Sequence, residues 1–456
     1  MQLVLRHYTF LIMNDTFQFS DTEKNELLKI IETPLSGLKG SLDQVVESVI
    51  QQTKSFMQIA NQHGTSCYVY DHAGVKENIK LFKSEFLSKI KNIHPYYAVK
   101  SNPYIELLKD IVSEDIGLDV SSQYELGLAL EAKAKKIIYT GPGKSKEDLE
   151  LILQHSNIIT LMIDSFQELV VLKEVLISNP HIMLRAGVRI YTEIHKEWKK
   201  FGIPLSRLGE FWEISRSISN LHLCGIQSHR SNSTIDLYEE IIESLGNYLE
   251  QNFSEIQKKQ IQFIDFGGGL HPQNVDGYYD TAFSQIEILN SLYNELEYPQ
   301  YIPKEYFLME TTSLKEYAER INRAIATHIL SQLSCDIYCE PGRILSNPSL
   351  HILLKVMDKK DDDIYILDGG NNIIGWDKYS SEYVPIINLT HPGTKEIRGQ
   401  FVGSLCTPDD IWGYFCYAEN IEIGDILVIP NQGAYTYTLR QSFIRGLPNV
   451  HHFECK

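Results

Sequence analysis

The chain is 456 residues long, 43% hydrophobic and 22% charged, with a formal net charge of -17. That length allows two sizeable domains, and the acidic balance argues against a broad nucleic-acid footprint or attraction to an anionic membrane, since both need clustered Lys and Arg. Seven scattered cysteines offer neither a disulfide framework nor paired zinc-ligand spacing, and no apolar stretch is long enough to span a membrane, so the expectation is a cytoplasmic small-molecule enzyme with no metal.

Residues 1–62 read as an N-terminal helical extension, with amphipathic patterns at 22–32 and 41–61 on either side of Thr-Pro-Leu-Ser-Gly-Leu-Lys-Gly. A packing or dimer-stabilising role is expected for it. Residues 63–75 hold a short strand, Ser-Cys-Tyr-Val-Tyr-Asp at 66–71, expected to join a β domain further along, and a helix runs on through 86. Over 76–346 short β-rich runs alternate with helical stretches, the signature of βα units and a parallel sheet. Eight runs are visible, at 95–99, 116–120, 136–140, 159–163, 182–188, 223–227, 262–265 and 336–339. Helical periodicity lies between them at 104–112, 123–132, 146–154, 165–177, 208–218 and 235–252. Eight units predict a closed (β/α)8 barrel. The long span from 269 to 336 keeps an open doubly wound sheet as the competing architecture. Residues 347–456 change to strands without helices, at 350–357, 363–367, 399–405, 425–429 and 434–440, and read as a smaller antiparallel β domain.

Barrel enzymes place their chemistry at the C-terminal ends of the strands, with phosphate often held after strands seven and eight. The stretch His-Pro-Tyr-Tyr-Ala-Val-Lys-Ser-Asn-Pro at 94–103 puts Lys100 at the end of run one. Desolvation at that rim is expected to lower the lysine pKa and make the amine a usable nucleophile. Asp119 ends run two, Arg185 lies in run five and His229 follows run six. Run seven leads into Gly267, Gly268 and Gly269, and run eight into Glu340, Pro341, Gly342 and Arg343. Glycines admit a phosphate close to backbone amides, and Gly342 with Arg343 adds an amide and a charged clamp, so the two loops read as one phosphate cup. Taken singly, each piece is an ordinary turn, core histidine or solvated lysine; their shared rim carries the reading. A phosphorylated aldehyde held by such a cup and joined to a lysine is pyridoxal 5'-phosphate, which also calls for an acid at its ring nitrogen.

These residues resemble the diaminopimelate and ornithine decarboxylase family, the fold-type III enzymes that use pyridoxal phosphate. Matching pieces are Cys-Tyr-Val-Tyr-Asp at 67–71, Tyr-Ala-Val-Lys-Ser-Asn-Pro at 97–103, Leu-Asp-Val-Ser-Ser at 118–122 and Lys-Phe-Gly-Ile at 200–203. Asp-Phe-Gly-Gly-Gly at 265–269, Glu-Pro-Gly-Arg at 340–343, Asp-Gly-Gly-Asn-Asn at 368–372, Gly-Ser-Leu-Cys-Thr-Pro-Asp-Asp at 403–410 and Gly-Ala-Tyr-Thr at 433–436 follow in family order. The resemblance implies a TIM-like, alanine-racemase-like barrel with a second β domain, and a homodimer with its active site at the interface. It implies that Lys100 anchors the cofactor, Glu340 pairs with the ring nitrogen and His229 stacks on the ring. It further implies that Gly268, Gly269, Gly342, Arg343 and Tyr435 hold the phosphate, with Asp119 and Arg185 in support. Cys406, contributed across the interface, would return a proton after carbon dioxide leaves.

Three departures from the family pattern stand out, the first at the phosphate hydroxyl and the other two at the substrate tail. Where the family shows His-x-Gly-Ser, this chain has His229, Arg230, Ser231 and Asn232; the residue after the catalytic Cys, normally acidic, is Thr407. Where an Arg follows Asp-Gly-Gly in the diaminopimelate enzymes, the chain reads Ile373 to Asp377. Thr407, Asp410, Trp376, Asp377 and Tyr379, with Glu382 and Asp409, are the candidates to read a polar substrate tail. The expected activity is decarboxylation of an amino acid or an amino-acid-derived metabolite, including a conjugate in a specialised pathway such as siderophore or antibiotic assembly. The competing readings are an amino-acid racemase of the same fold type, against which Glu340 speaks, and a regulatory protein that has lost turnover, against which Lys100 and Cys406 together speak.

Overall fold

The computed structural model describes residues 37–192, 199–229, 234–280, 302–360, 363–375 and 382–453. It opens on two helices, α1 (Asp43–Gln51) and α2 (Thr53–His63), so the single helical pattern at 41–61 breaks at Gln52. Val46 and Val49 from α1 and Phe56, Ile59 and Ala60 from α2 pack on Cys67, Val69, Leu353, Ile387 and Val428, covering one face of a β sheet. The helix expected at 22–32 lies outside the described residues. After strand β1 (Cys67–Tyr70) and helix α3 (His72–Glu85) the chain enters the regular βα region.

Eight parallel strands follow: β2 (Ile93–Ala98), β3 (Gly117–Val120), β4 (Ile137–Tyr139), β5 (Ile159–Ile163), β6 (Leu184–Tyr191), β7 (Leu221–Ser228), β8 (Phe263–Asp265) and β9 (Asp336–Cys339). Each pairs with the next, and β9 returns to β2 through Ile337 opposite Ile93. That pairing closes the barrel and rules out the open sheet. Between the strands run α4 (Ile105–Ser113), α5 (Gln123–Glu131), α6 (Lys146–Gln154), α7 (Phe166–Ser178), α8 (Leu208–Ser215), α9 (Ile235–Asn252) and α10 (Leu314–His328). Serines start several of them: Ser122, Ser145, Ser165 and Ser313 accept from the amides of Glu125, Asp148, Glu168 and Glu316. A hydroxyl cap of this kind is worth about 1 kcal/mol and fixes where each loop ends. Tyr96, Ile138, Met162, Cys224, Phe263 and Tyr338 fill the barrel interior below the strand ends, with the Phe263 and Tyr338 rings stacked at 4.5 Å. The plugged interior leaves the C-terminal rim as the open end.

One ion pair is built into that rim. Lys144, in the β4–α6 loop, donates to the Met162 carbonyl at 2.8 Å and to Glu168 Oε1 at 2.9 Å. Both side chains are buried, at 1% and 5% exposure. Replacing Lys144 by Met strands the Glu168 carboxylate, and should lower unfolding stability by about 3–5 kcal/mol. Chemical denaturation of K144M beside a K144M/E168L double variant checks this, the double variant being expected to recover most of the loss.

The second domain is built from β10 (Leu350–Lys360), β11 (Ile364–Leu367), β12 (Ile386–Asn388), β13 (Glu396–Val402), β14 (Ile411–Tyr417), β15 (Ile426–Ile429) and β16 (Val450–His452), together with β1. Its sheet is mixed rather than purely antiparallel, because β1 with β16, β11 with β13 and β12 with β14 run parallel. The strand expected at 434–440 is absent: that stretch is a series of turns, and Tyr435 sits in it at φ 57°. A residue in the left-handed region cannot continue a strand. The long 269–336 span carries Gly277–Tyr279 and Tyr306–Leu308, which pair with each other, and Gly277–Tyr279 pairs on its other edge with Glu382–Tyr383 of the β domain.

Candidate active site

Seven of the eight strand ends and one β-domain turn line a single cavity of about 490 Å³. Lys100 enters it from a 3-10 turn, Val99–Ser101, directly after β2. Ser121 follows β3, Thr140, Gly141 and Pro142 follow β4, and Arg189 points in from β6 with Lys200 and Phe201 beyond it. His229 follows β7, Gly269, Leu270 and His271 follow β8, and Glu340, Gly342 and Arg343 follow β9. Tyr435 completes the wall from the β domain, its amide donating to the Ser101 carbonyl at 2.9 Å. Its ring lies 5.3 Å from the Arg343 guanidinium.

The glycine run works mainly by letting neighbours approach. A Cβ on Gly267, at φ +70°, would stand 2.3 Å from His229 Nδ1, and one on Gly268 would stand 2.1 Å from the Glu340 carbonyl oxygen. Gly268 itself does not line the cavity: its carbonyl accepts from Tyr238 and its amide lies 3.1 Å from His229 Nδ1. Gly269 is the glycine of the run that faces the cavity.

Charge in the floor is dominated by three buried acids. Glu340, 2% exposed, receives His229 Nδ1 at 2.9 Å on Oε2 and Gln227 Nε2 on Oε1. Burial opposes its charge, but the His229 contact, then Lys100 and Arg189, outweigh that and hold the carboxyl down at about 2. Asp119 accepts from Thr140 Oγ1 at 2.7 Å; burial and then the Glu340 charge push it up to about 8. Asp265 is pushed well above the carboxylate range by the same two causes. Three acids this close cannot all ionise freely, and Glu340 is the one held most firmly in its charged form. Burial keeps His229 below its ordinary value, and an ionised Glu340 selects the tautomer with the proton on Nδ1. Lys100 departs from expectation: burial alone would push it down, but Asp119 and Glu340 hold it above the ordinary lysine range.

Other predicted residues are placed differently. Arg185 lies near the start of β6, bonded to Gln262 at the opposite end of the barrel, with its guanidinium 5.1 Å from the Phe263 ring. Arg189, four residues or about 13 Å further along the strand, occupies the place expected of it. The run stopped at 188 in the sequence, but the strand continues to Tyr191. Asp410 is already committed, accepting from the amides of Leu405 in its own loop and of Asn371 in the turn after β11, both at 2.7 Å. Cys406 is exposed and, like Thr407, lies outside the cavity walls of the single chain. Trp376, Asp377, Tyr379 and residues 230–232 lie outside the described residues. Arg189, Ser121, Thr140, Lys200, Phe201 and His271 went unnamed as site residues in the sequence; Lys200 and Phe201 sit in the Lys-Phe-Gly-Ile stretch, whose spacing alone carried no role.

The arrangement suits a ligand with an aldehyde, a phosphate and a basic ring nitrogen. It supplies an amine, backbone amides beside an Arg, and an ionised acid, and it leaves Asp119 Oδ2 a buried oxygen with no partner among the described residues.

Comparison with known proteins agrees. A family model described as pyridoxal-dependent decarboxylase, pyridoxal binding domain, matches residues 72–347. Diaminopimelate decarboxylase of Aquifex aeolicus is 24% identical over 406 residues, which span 85% of this chain and 86% of the relative. The Staphylococcus aureus protein named 2-[(L-alanin-3-ylcarbamoyl)methyl]-2-hydroxybutanedioate decarboxylase is 24% identical over 424 residues, 87% of this chain and 94% of the relative. In fold, diaminopimelate decarboxylase from M. jannaschii in complex with L-lysine matches with a TM-score of 0.71 at 20% identity, covering 87% of this chain and 89% of that one. Lysine/ornithine decarboxylase from Vibrio vulnificus, complexed with putrescine, matches at 0.67 and 19% identity, covering 88% and 98%. With the family model spanning more than half its length and the barrel rim built as described, the chain belongs to the pyridoxal-dependent decarboxylases: it is a fold-type III carboxy-lyase whose cofactor is pyridoxal phosphate.

Proposed function

We propose that the enzyme decarboxylates an amino-acid derivative whose side chain ends in an acidic or conjugated group rather than a free amine. The observation that carries this is the state of positions 407 and 410 in the loop after Cys406. Thr407 offers a hydroxyl, and both oxygens of Asp410 already accept backbone amides, so neither residue offers a free carboxylate to a distal amine. Support comes from Arg189 and Lys200, two cations in the cavity wall in addition to Arg343. Further support comes from the S. aureus relative, whose name describes an alanine derivative carrying a carbamoyl-linked hydroxybutanedioate.

In this reading Lys100 anchors the cofactor, Glu340 faces its ring nitrogen, His229 lies against its ring, and Gly269, Gly342, Arg343 and Tyr435 hold its phosphate. Bound pyridoxal phosphate supplies the sink for the electron pair released when the bond from Cα to the carboxylate breaks. The chain's own work is to hold Glu340 charged, to orient the substrate so that its carboxylate leaves, and to keep water from the cavity. The working unit is a homodimer in which Cys406 of the second copy reaches the cavity and returns a proton to Cα. Exposed Leu439, Phe443, Ile444 and Leu447, on the segment that follows Tyr435, are the apolar surface such a dimer would cover.

The test is carbon dioxide release from diaminopimelate, lysine, ornithine, arginine and the carbamoyl-linked hydroxybutanedioate derivative of alanine. A specificity constant for the acidic conjugate at least about a hundredfold above that for every free diamine precursor supports the proposal; preference for lysine or ornithine overturns it. Cys406→Ala should lower turnover by about 10²- to 10⁴-fold and yield products altered at Cα. Unchanged rate and products would remove Cys406 from the chemistry.

A further inference from the structure

We infer that Gln227 is a positioning residue that keeps Glu340 ionised and aimed into the cavity, and that Asp265 serves beside it as a neutral, proton-bearing partner. The inference rests on the reading of Glu340 given above and extends it to residues that never touch a ligand. Gln227 and His229 lie two apart at the end of β7, on one face of the strand, and each takes one oxygen of Glu340. Gln227 stands opposite Asp265 in the β7–β8 register, and its Nε2 is 3.4 Å from Asp265 Oδ2. The amide nitrogen therefore sits between two carboxyl groups. Its Oε1 is buried with no hydrogen-bond partner.

That orphan acceptor identifies the constraint. Turning the amide over would aim Oε1 at the Glu340 carboxylate, so the group stays with its NH₂ towards the acids at the expense of an unmet acceptor. A neutral donor is what this position needs. A cation here would cancel the negative field that Glu340 presents to a protonated ring nitrogen, and a second ionised acid would push the Glu340 proton back on. Asp265 meets the same condition by staying protonated; its Oδ1 accepts from the Gly267 amide at 2.8 Å. The other charged or titratable groups acting on or responding to Glu340 are Lys100, Asp119, Arg189, His229 and Cys339.

The test uses the full-length protein with and without pyridoxal phosphate. Without cofactor, Gln227→Leu should move the acid-unfolding midpoint up by about one pH unit, because Glu340 loses a donor to its charged form. With cofactor fixed to the protein, the acid-side change in its absorbance should move up by a similar amount, and kcat should fall about ten- to a hundredfold with little change in KM. Gln227→Glu guards against a folding failure of the Leu variant: protonated, it donates as Gln does, so its activity should approach wild type at acid pH and collapse as pH rises. A Leu variant with wild-type midpoints and a Glu variant with a wild-type pH profile overturn the inference. Failure of the wild-type protein to load cofactor would instead strike at the role proposed for Glu340, while the cofactor-free midpoint still decides whether Gln227 holds its charge.

Discussion

Lys100→Ala should abolish borohydride fixation of pyridoxal phosphate to the protein and lower carbon dioxide release by on the order of 10³- to 10⁴-fold. Lys100 is the amine that the rim brings to the cavity immediately beyond β2, and its neighbours Ser101 and Asn102 are pinned: Ser101 Oγ to Ser346 Oγ at 2.5 Å and Asn102 Nδ2 to Ser349 Oγ at 3.3 Å. Lys144, the other buried lysine beside the cavity, is committed to Glu168 and cannot substitute. The alanine variant also removes the cation beside Asp119 and Glu340, so its cofactor-free form should bind extra protons as pH falls towards neutral. Lys100→Arg separates the two effects: it restores the charge and the stability but not the fixation, because a guanidinium stays protonated and is no nucleophile. Tryptic mapping after reduction reads the anchor directly. A cofactor fixed at another lysine would displace Lys100 from its role.

Glu340→Gln should lower kcat by about 10²- to 10³-fold while leaving cofactor loading on Lys100 intact. The side chain is nearly isosteric and keeps a partner for His229, so what changes is charge. Its effect on stability has a definite sign. Glu340 has a folded pKa of about 2, below the ordinary glutamate value, so its contribution is fully present above about pH 4.3 and is lost as pH falls through 2. The Gln variant should lack that acid-side loss. Asp119 runs the other way: raised to about 8, it favours the folded, cofactor-free protein below about pH 4 and less so as pH climbs through 8. Removing the Glu340 charge should bring Asp119 down, since that charge is its second largest cause. Retention of full turnover in Glu340→Gln would mean that no ionised acid is needed at the ring nitrogen, and would reopen racemase-like chemistry; chiral analysis of products with carbon dioxide trapping separates the two.

The barrel was legible because it is written in local terms. Short β-rich runs and serine-capped amphipathic helices are properties of ten or fifteen neighbouring residues, and all eight strands fall on or within a few residues of the runs that predicted them. Lys100, His229, Gly269, Glu340, Gly342 and Arg343 were legible for the same reason, each following a strand at the rim. Arg185 was misplaced because the β-rich run was drawn to 188, one residue short of Arg189, and because a strand's two ends look alike in sequence; only the register with β5 and β7 tells bottom from top. The turn at 433–439 looked like a strand from its aromatic and Thr content, yet docking against Ser101 holds Tyr435 at positive φ.

What the sequence by itself determined is therefore the barrel and the residues at its rim, through periodicity and the place of each residue after a strand, while the chemistry was implied by the resemblance of its motifs to a known family. What only the tertiary structure decided is the charge state of the floor and the availability of each side chain. Carboxylates on neighbouring strands hold Lys100 above the ordinary lysine range, Asp410 gives one oxygen to a backbone amide 39 residues away, and Gln227 Nε2 meets Asp265 and Glu340 at separations of 38 and 113 residues; desolvation and contacts of this reach leave no trace in any local pattern.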